Sequence, residues 1–236
     1  MPYYRRSYGA EFGIGGRITP GIKYLIIANV CIFGLQLLTY HFGGGDIRGI
    51  FGLRPADVFH HKWIWQLGTY MFLHSPAGLF HILLNMLMLW MFGTELERLW
   101  GTRPFVKYFF ICGIGAGLTT LFLAPPNVTT VGASGGVFGV MLAYALMFPN
   151  RQILIWFIFP MRAISFVILC IGIELFSMLG MQDGIAHFAH LGGMLFGYLY
   201  LKRVWRLREF WNELRWRLRR RRFRVMSEDD ERYRFH

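Results

Sequence analysis

Four polar side chains stand out within apolar stretches of this sequence: His81 and Asn85, Ser134, and His190. Their types are ones that could together serve hydrolysis. A serine is inert at its free pKa and becomes a nucleophile only beside a base, which an imidazole can supply. Acyl transfer also develops an oxyanion, which needs hydrogen-bond donors aimed at it. His81 and Asn85 are four residues apart and would share one helix face. With the backbone N–H of Ser134, they could form such a donor set. Each residue also has a non-catalytic reading. Ser134 could cap a helix, while His190, or His81 with Asn85, could knit membrane helices together by hydrogen bonding. His187, one turn before His190, is a rival base. It lacks the glycine spacing that follows His190 and ranks below it.

The elements that must position these residues are set by composition. Of 236 residues, 55% are hydrophobic and only 16% charged, well below the roughly 25% charged residues of soluble domains. Six segments approach the length of about 20 residues that crosses a bilayer. They lie at 22–42, 78–101, 104–123, 134–148, 163–180 and 186–202. Two other apolar stretches are not counted as spans. "WIWQLGTYMFL" is too short and belongs to a long, membrane-hugging first loop. "RQILIWFIFPMR", bounded by arginines, suits an interfacial connector.

The fourth segment decides the chemistry. About 15 residues give roughly 22 Å of helix, against a hydrocarbon core of about 30 Å. If this helix ends at the cytoplasmic face, Ser134 starts below the opposite surface. The loop "APPNVTTVG" would then line a wet cavity, because irregular backbone at that depth must be buried in protein or hydrated. Gly132, Gly135, Gly136 and Gly139 exceed what a cap needs. The pairs Gly135-xxx-Gly139 and Gly193-xxx-Gly197 predict close helix packing that would bring His190 beside Ser134.

The net charge of +12 is concentrated at the ends. The run "KRVWRLREFWNELRWRLRRRRFR" abuts the last apolar segment, as the positive-inside rule and attraction to anionic headgroups expect. Nucleic acid is therefore not the expected partner. Val204, Leu207, Trp211, Leu214 and Leu218 recur at helical spacing and predict an amphipathic helix. Arg5, Arg6, Arg17, Lys23, Arg98, Arg103, Lys107, Arg151, Arg162 and the tail share one side, so both termini are expected to be cytoplasmic. Cys31, Cys112 and Cys170 are isolated in apolar segments with no metal-ligand spacing, and no removable signal peptide is read at the N-terminus. Asn127-Val128-Thr129 fits a glycosylation acceptor only as a chance occurrence. The expected organisation is a cytoplasmic segment over 1–20, a catalytic core over 21–203 and a basic tail over 204–236.

At this point the residues resemble the rhomboid intramembrane serine proteases. "GASGGVFG" resembles the nucleophile motif and "AHLGGMLFG" the general-base motif, while "HILLN" resembles the second-span motif. "WQLGTYMFLH" is similar to the end of the first loop, and "FGTELERLWG" to the turn closing the second span, where Glu97 and Gly101 look structural. The resemblance implies an all-α polytopic membrane protein: a six-transmembrane-helix, rhomboid-like bundle with a short fourth helix and a long first loop. It implies a serine endopeptidase with a Ser134–His190 dyad and oxyanion donors at His81 and Asn85. No acid is needed to orient the base, so Glu174 and Asp183 are assigned no catalytic role. Substrates would be membrane-anchored, mostly single-pass proteins cut in or near their transmembrane segments. No metal and no cofactor are expected, and the expected site is the plasma (inner) membrane of a prokaryote. The alternatives are a non-catalytic rhomboid-like binder of transmembrane segments and, less well matched, a small-solute channel.

Overall fold

The computed structural model describes residues 16–43, 45–76, 78–155, 158–179 and 184–220, with side chains described except at 155, 179, 184–185, 205, 207–215 and 217–220. The expectations for Arg5, Arg6, Asp183 and the stripe at Leu207, Trp211, Leu214 and Leu218 lie outside these. The chain divides into two units, one reaching Tyr198 and the other from Leu199 onward.

In chain order, α1 (Pro20–His41) is followed by three short helices, α2 (Arg48–Phe51), α3 (Pro55–His61) and α4 (Gln66–Thr69), and by a 3-10 turn at Tyr70–Phe72. Then come α5 (Leu79–Trp100), α6 (Thr102–Leu123) and the shorter α7 (Ser134–Met147). A hairpin of β1 (Gln152–Ile155) and β2 (Phe159–Arg162) leads into α8 (Ala163–Leu179), and α9 spans Gly184–Arg220. Helices α1, α5 and α6 are each long and apolar enough to cross a membrane, and α7 and α8 are shorter apolar helices.

The burial pattern identifies the surrounding medium. Large apolar side chains face outward: Ile27 and Leu38 on α1, Leu83 on α5, and Ile168, Ile173 and Phe176 on α8. Asn29, Gln36, Asn85, Thr94, Glu97, Thr120 and Glu174 are buried. That inversion suits a bundle whose outer surface meets hydrocarbon and whose polar groups are satisfied internally. This is a helical integral membrane protein.

Buried polar groups also fix the frame. The first N–H groups of a helix have no partner within it. In α1 those of Gly21 and Ile22 donate to the Glu97 carboxylate at 2.7 and 2.9 Å. The hydroxyls of Thr19 and Thr102 donate to the same group at 2.5 and 2.6 Å. One residue of α5 thus ties down the starts of α1 and α6. Gly101, at φ +86°, makes the α5–α6 turn, a conformation that favours glycine.

The connector after α7, expected to lie at the membrane interface, adds strands to the otherwise helical elements among the described residues. It is an antiparallel hairpin with Gln152 opposite Arg162 and Ile155 opposite Phe159. Arg151, at its entry, pairs with Glu95 at 3.1 Å.

Candidate functional site

The head of α7 is positioned from three directions. Ala133 is the N-cap and makes no side-chain capping bond. Ser134 is therefore the first helical residue rather than a cap, and its hydroxyl is free for another partner. The preceding loop is pinned to the first loop by paired bonds between Leu53 and Thr130, at 2.9 and 2.8 Å. The Gly132 N–H donates to the Tyr70 carbonyl at 3.0 Å. Tyr70 is itself buried and donates its hydroxyl to the Gly113 carbonyl at 2.6 Å. Burial pushes that phenol well above its ordinary pKa, so it remains a donor.

The glycines provide clearance. A Cβ on Gly193 would lie 2.1 Å from the Gly135 carbonyl oxygen, and one on Gly139 would lie 3.1 Å from the Gly193 oxygen. Helices α7 and α9 therefore approach backbone to backbone, as small residues permit in membranes. Gly197 plays a different part from the one its spacing suggested. A Cβ there would meet Tyr108 Oη at 2.5 Å and Cys112 Sγ at 2.9 Å, both on α6.

This approach brings His190 Nε2 to 2.8 Å from Ser134 Oγ. The imidazole lies flat on the Phe138 ring, with centroids 4.2 Å apart and planes 5° from parallel. Its other nitrogen, Nδ1, is 3.0 Å from Glu174 Oε1. His187, the rival base, pairs through its Nδ1 with Glu174 Oε2 instead. An ionised carboxylate only accepts, so with Glu174 ionised a proton on His190 Nδ1 would leave Nε2 to accept from the serine.

His81 faces the same space from α5. A Cβ on Gly132 would lie 3.1 Å from His81 Nε2 and 3.6 Å from Ser134 Oγ, so the ring and the hydroxyl border one small volume. Asn85 is buried beneath it, and its Nδ2 donates to the His81 carbonyl at 2.8 Å. Because that amide carries two hydrogens, a second donor is left over. The unpaired N–H groups in the first turn of α7 add further donors. Behind His81 sits buried His74, its ring centroid 5.1 Å away. Gln36 holds that residue's backbone at both ends, donating to its carbonyl at 2.5 Å and accepting from its N–H at 3.1 Å. Burial, with His81 adding to it, lowers the His74 pKa to about 4.

Glu174 is the residue that motif reading passed over. It lies 16 positions before His190, outside any recognised motif. A signal was nonetheless present, because a lone carboxylate inside an apolar segment is a functional candidate by default. Glu174, His187 and His190 also each offer a ligand atom within 4.8 Å of one another, so a metal ion could be held there. Both carboxylate oxygens are engaged by ring nitrogens in this arrangement.

Residues 61–207 match the Rhomboid domain. RHOMBOID-like protein 2 of Arabidopsis thaliana is 34% identical over 147 residues, 62% of this chain and 44% of that protein. The mitochondrial Rhomboid protein 1 of Saccharomyces cerevisiae is 32% identical over 61% of this chain and 39% of its own length. Rhomboid protease GluP of Bacillus subtilis is 28% identical over 82% of this chain and 36% of its own length. The chain thus spans less than half the length of these relatives. The matched residues run from the end of α3 into α9 and take in His81, Asn85, Ser134 and His190, and on that match the chain belongs to the rhomboid family.

Proposed function

We propose that the chain is an intramembrane serine endopeptidase acting on membrane-anchored, mostly single-pass proteins, within or near their transmembrane segment. The observation that carries this reading is the 2.8 Å contact between His190 Nε2 and Ser134 Oγ at the head of a short apolar helix. Ser134 Oγ attacks the scissile carbonyl as His190 Nε2 takes its proton. His190 then returns that proton to the leaving amine, and a water repeats the sequence on the acyl-enzyme. The Ser134 amide, His81 and Asn85 are the donors to the oxyanion.

Helix α7 has 14 residues, roughly 21 Å at 1.5 Å each, which supports a serine set below the membrane surface. A helical peptide bond is shielded, so the substrate must unwind locally to reach it. The charge asymmetry supports six spans with both termini cytoplasmic and a basic tail at anionic headgroups; the membrane proposed is the plasma membrane of a prokaryote.

The test is cleavage of a single-span reporter in liposomes. Wild type should cut it and Ser134→Ala should not, and a fluorophosphonate should label wild type at Ser134. An alanine variant that cuts equally well overturns the nucleophile assignment. An unreactive Ser134 turns the reading to a non-catalytic binder of transmembrane segments.

A further inference from the structure

Glu174 is a buried carboxylate at 7% exposure on α8. An ionised carboxylate there is costly unless its oxygens are paired. Both are, and both partners are imidazoles: His190 on Oε1 and His187 on Oε2. A purely structural role in packing α8 against α9 would not require one of those nitrogens to belong to the ring that contacts Ser134.

We infer that Glu174 is a positioning residue for His190, holding from its far side the base that faces Ser134. This rests on the peptidase reading above and deepens it. Glu174 Oε1 accepts the Nδ1–H of His190, which fixes the tautomer and turns the Nε2 lone pair toward Ser134 Oγ. When Oγ bonds to the scissile carbon, its proton passes to Nε2. The Nδ1 proton stays in place, and the imidazolium that forms lies against a negative charge. Glu174 itself gains no proton. His187 holds the second oxygen, so the carboxylate cannot rotate away, while the flat contact with Phe138 fixes the ring plane. Three elements thus hold one imidazole, which explains how its orientation survives in a site open to water and substrate.

The experiment compares full-length wild type, Ser134→Ala, Glu174→Gln and Glu174→Asp in liposomes. Glu174→Gln should lower kcat by ~100-fold or more with KM within about twofold, since the amide has no charge to set against the imidazolium and only one oxygen to accept from two imidazoles. Glu174→Asp should recover at least about tenfold of that loss. In case Glu174→Gln fails to accumulate, 15N spectra of histidine-labelled wild type read the tautomer directly, with His190 assigned by substitution. The proton should be on Nδ1. Dialysis of wild type against EDTA should leave cleavage unchanged.

A Glu174→Gln variant within about threefold of wild-type kcat, a proton on Nε2, or cleavage abolished by EDTA each overturns the positioning role. All three would leave Ser134-dependent cleavage by untreated wild type standing. Absence of Ser134-dependent cleavage in wild type is the failure of the peptidase reading itself.

Discussion

At the scale of single residues, the site depends on what is missing as much as on what is present. Gly132 has φ +129° and lies against both His81 and Ser134. An added Cβ would strain the backbone and push the His81 ring, whose nearest atoms would be 3.1 Å away. Gly132→Ala should therefore slow phosphonate labelling of Ser134 and reporter cleavage by about tenfold or more, because small misplacements of reacting groups are expensive. The protein should still fold, since the loop keeps its bonds to Leu53. An unchanged labelling rate would remove Gly132 from the account. The contrast with Glu174 is instructive. Glycines and the serine advertise themselves by spacing, whereas a lone glutamate acquires meaning only from what it touches.

At the scale of elements, two contacts decide whether the helices can assemble. The α7–α9 approach leaves no room at Gly193, where a Cβ would sit 2.1 Å from the Gly135 carbonyl oxygen. Gly193→Ala should separate the two helices, lower the melting temperature in detergent and abolish cleavage, at a packing cost of about 1–3 kcal/mol or more. Gly34→Ala on α1 is the matched control, since nothing lies within 4 Å of its position, and it should be neutral or slightly stabilising. Equal effects from the two would mean that helix propensity, not close approach, sets the outcome. Glu97 works at the other end of the bundle by accepting four hydrogen bonds from α1 and α6. Glu97→Ala strands these donors and should cost roughly 3 kcal/mol or more in stability. Whatever protein still folds should label normally at Ser134, because Glu97 touches none of the candidate site.

For the whole molecule, His74 makes stability sensitive to acid. Its pKa is about 4 in the folded protein against about 6.5 when unfolded. Between these values the unfolded chain binds the extra proton, so stability rises with pH across that window. It is fully present above pH ~6.5 and is lost as pH falls toward ~4, by up to about 3 kcal/mol for this one group. Melting temperatures of wild type and His74→Phe, measured from pH 7.5 to 4.5, should differ in slope, with the variant flatter. Parallel profiles would mean that His74 is not the group responsible. The effect belongs to the whole molecule because His74 joins the first loop, α1 through Gln36, and α5 through His81.

The sequence by itself determined the medium, the helical segments and the four polar residues worth testing. Those signals are local: hydrophobic runs of fixed length, a histidine and an asparagine four apart, and glycines around a serine. Even the short fourth helix could be read, because Phe148, Pro149 and Asn150 end it in sequence. Tertiary structure alone decided the rest. The connector became a strand pair because Gln152 to Ile155 align antiparallel with Phe159 to Arg162, and Gly197 turned to α6 rather than α7. Glu174 reached His190 because α8 and α9 bring together residues 16 apart. A carboxylate among apolar neighbours has no periodicity to mark its partner. Only the packing of two helices supplies the imidazoles that make its burial tolerable and set the orientation of the base beside Ser134.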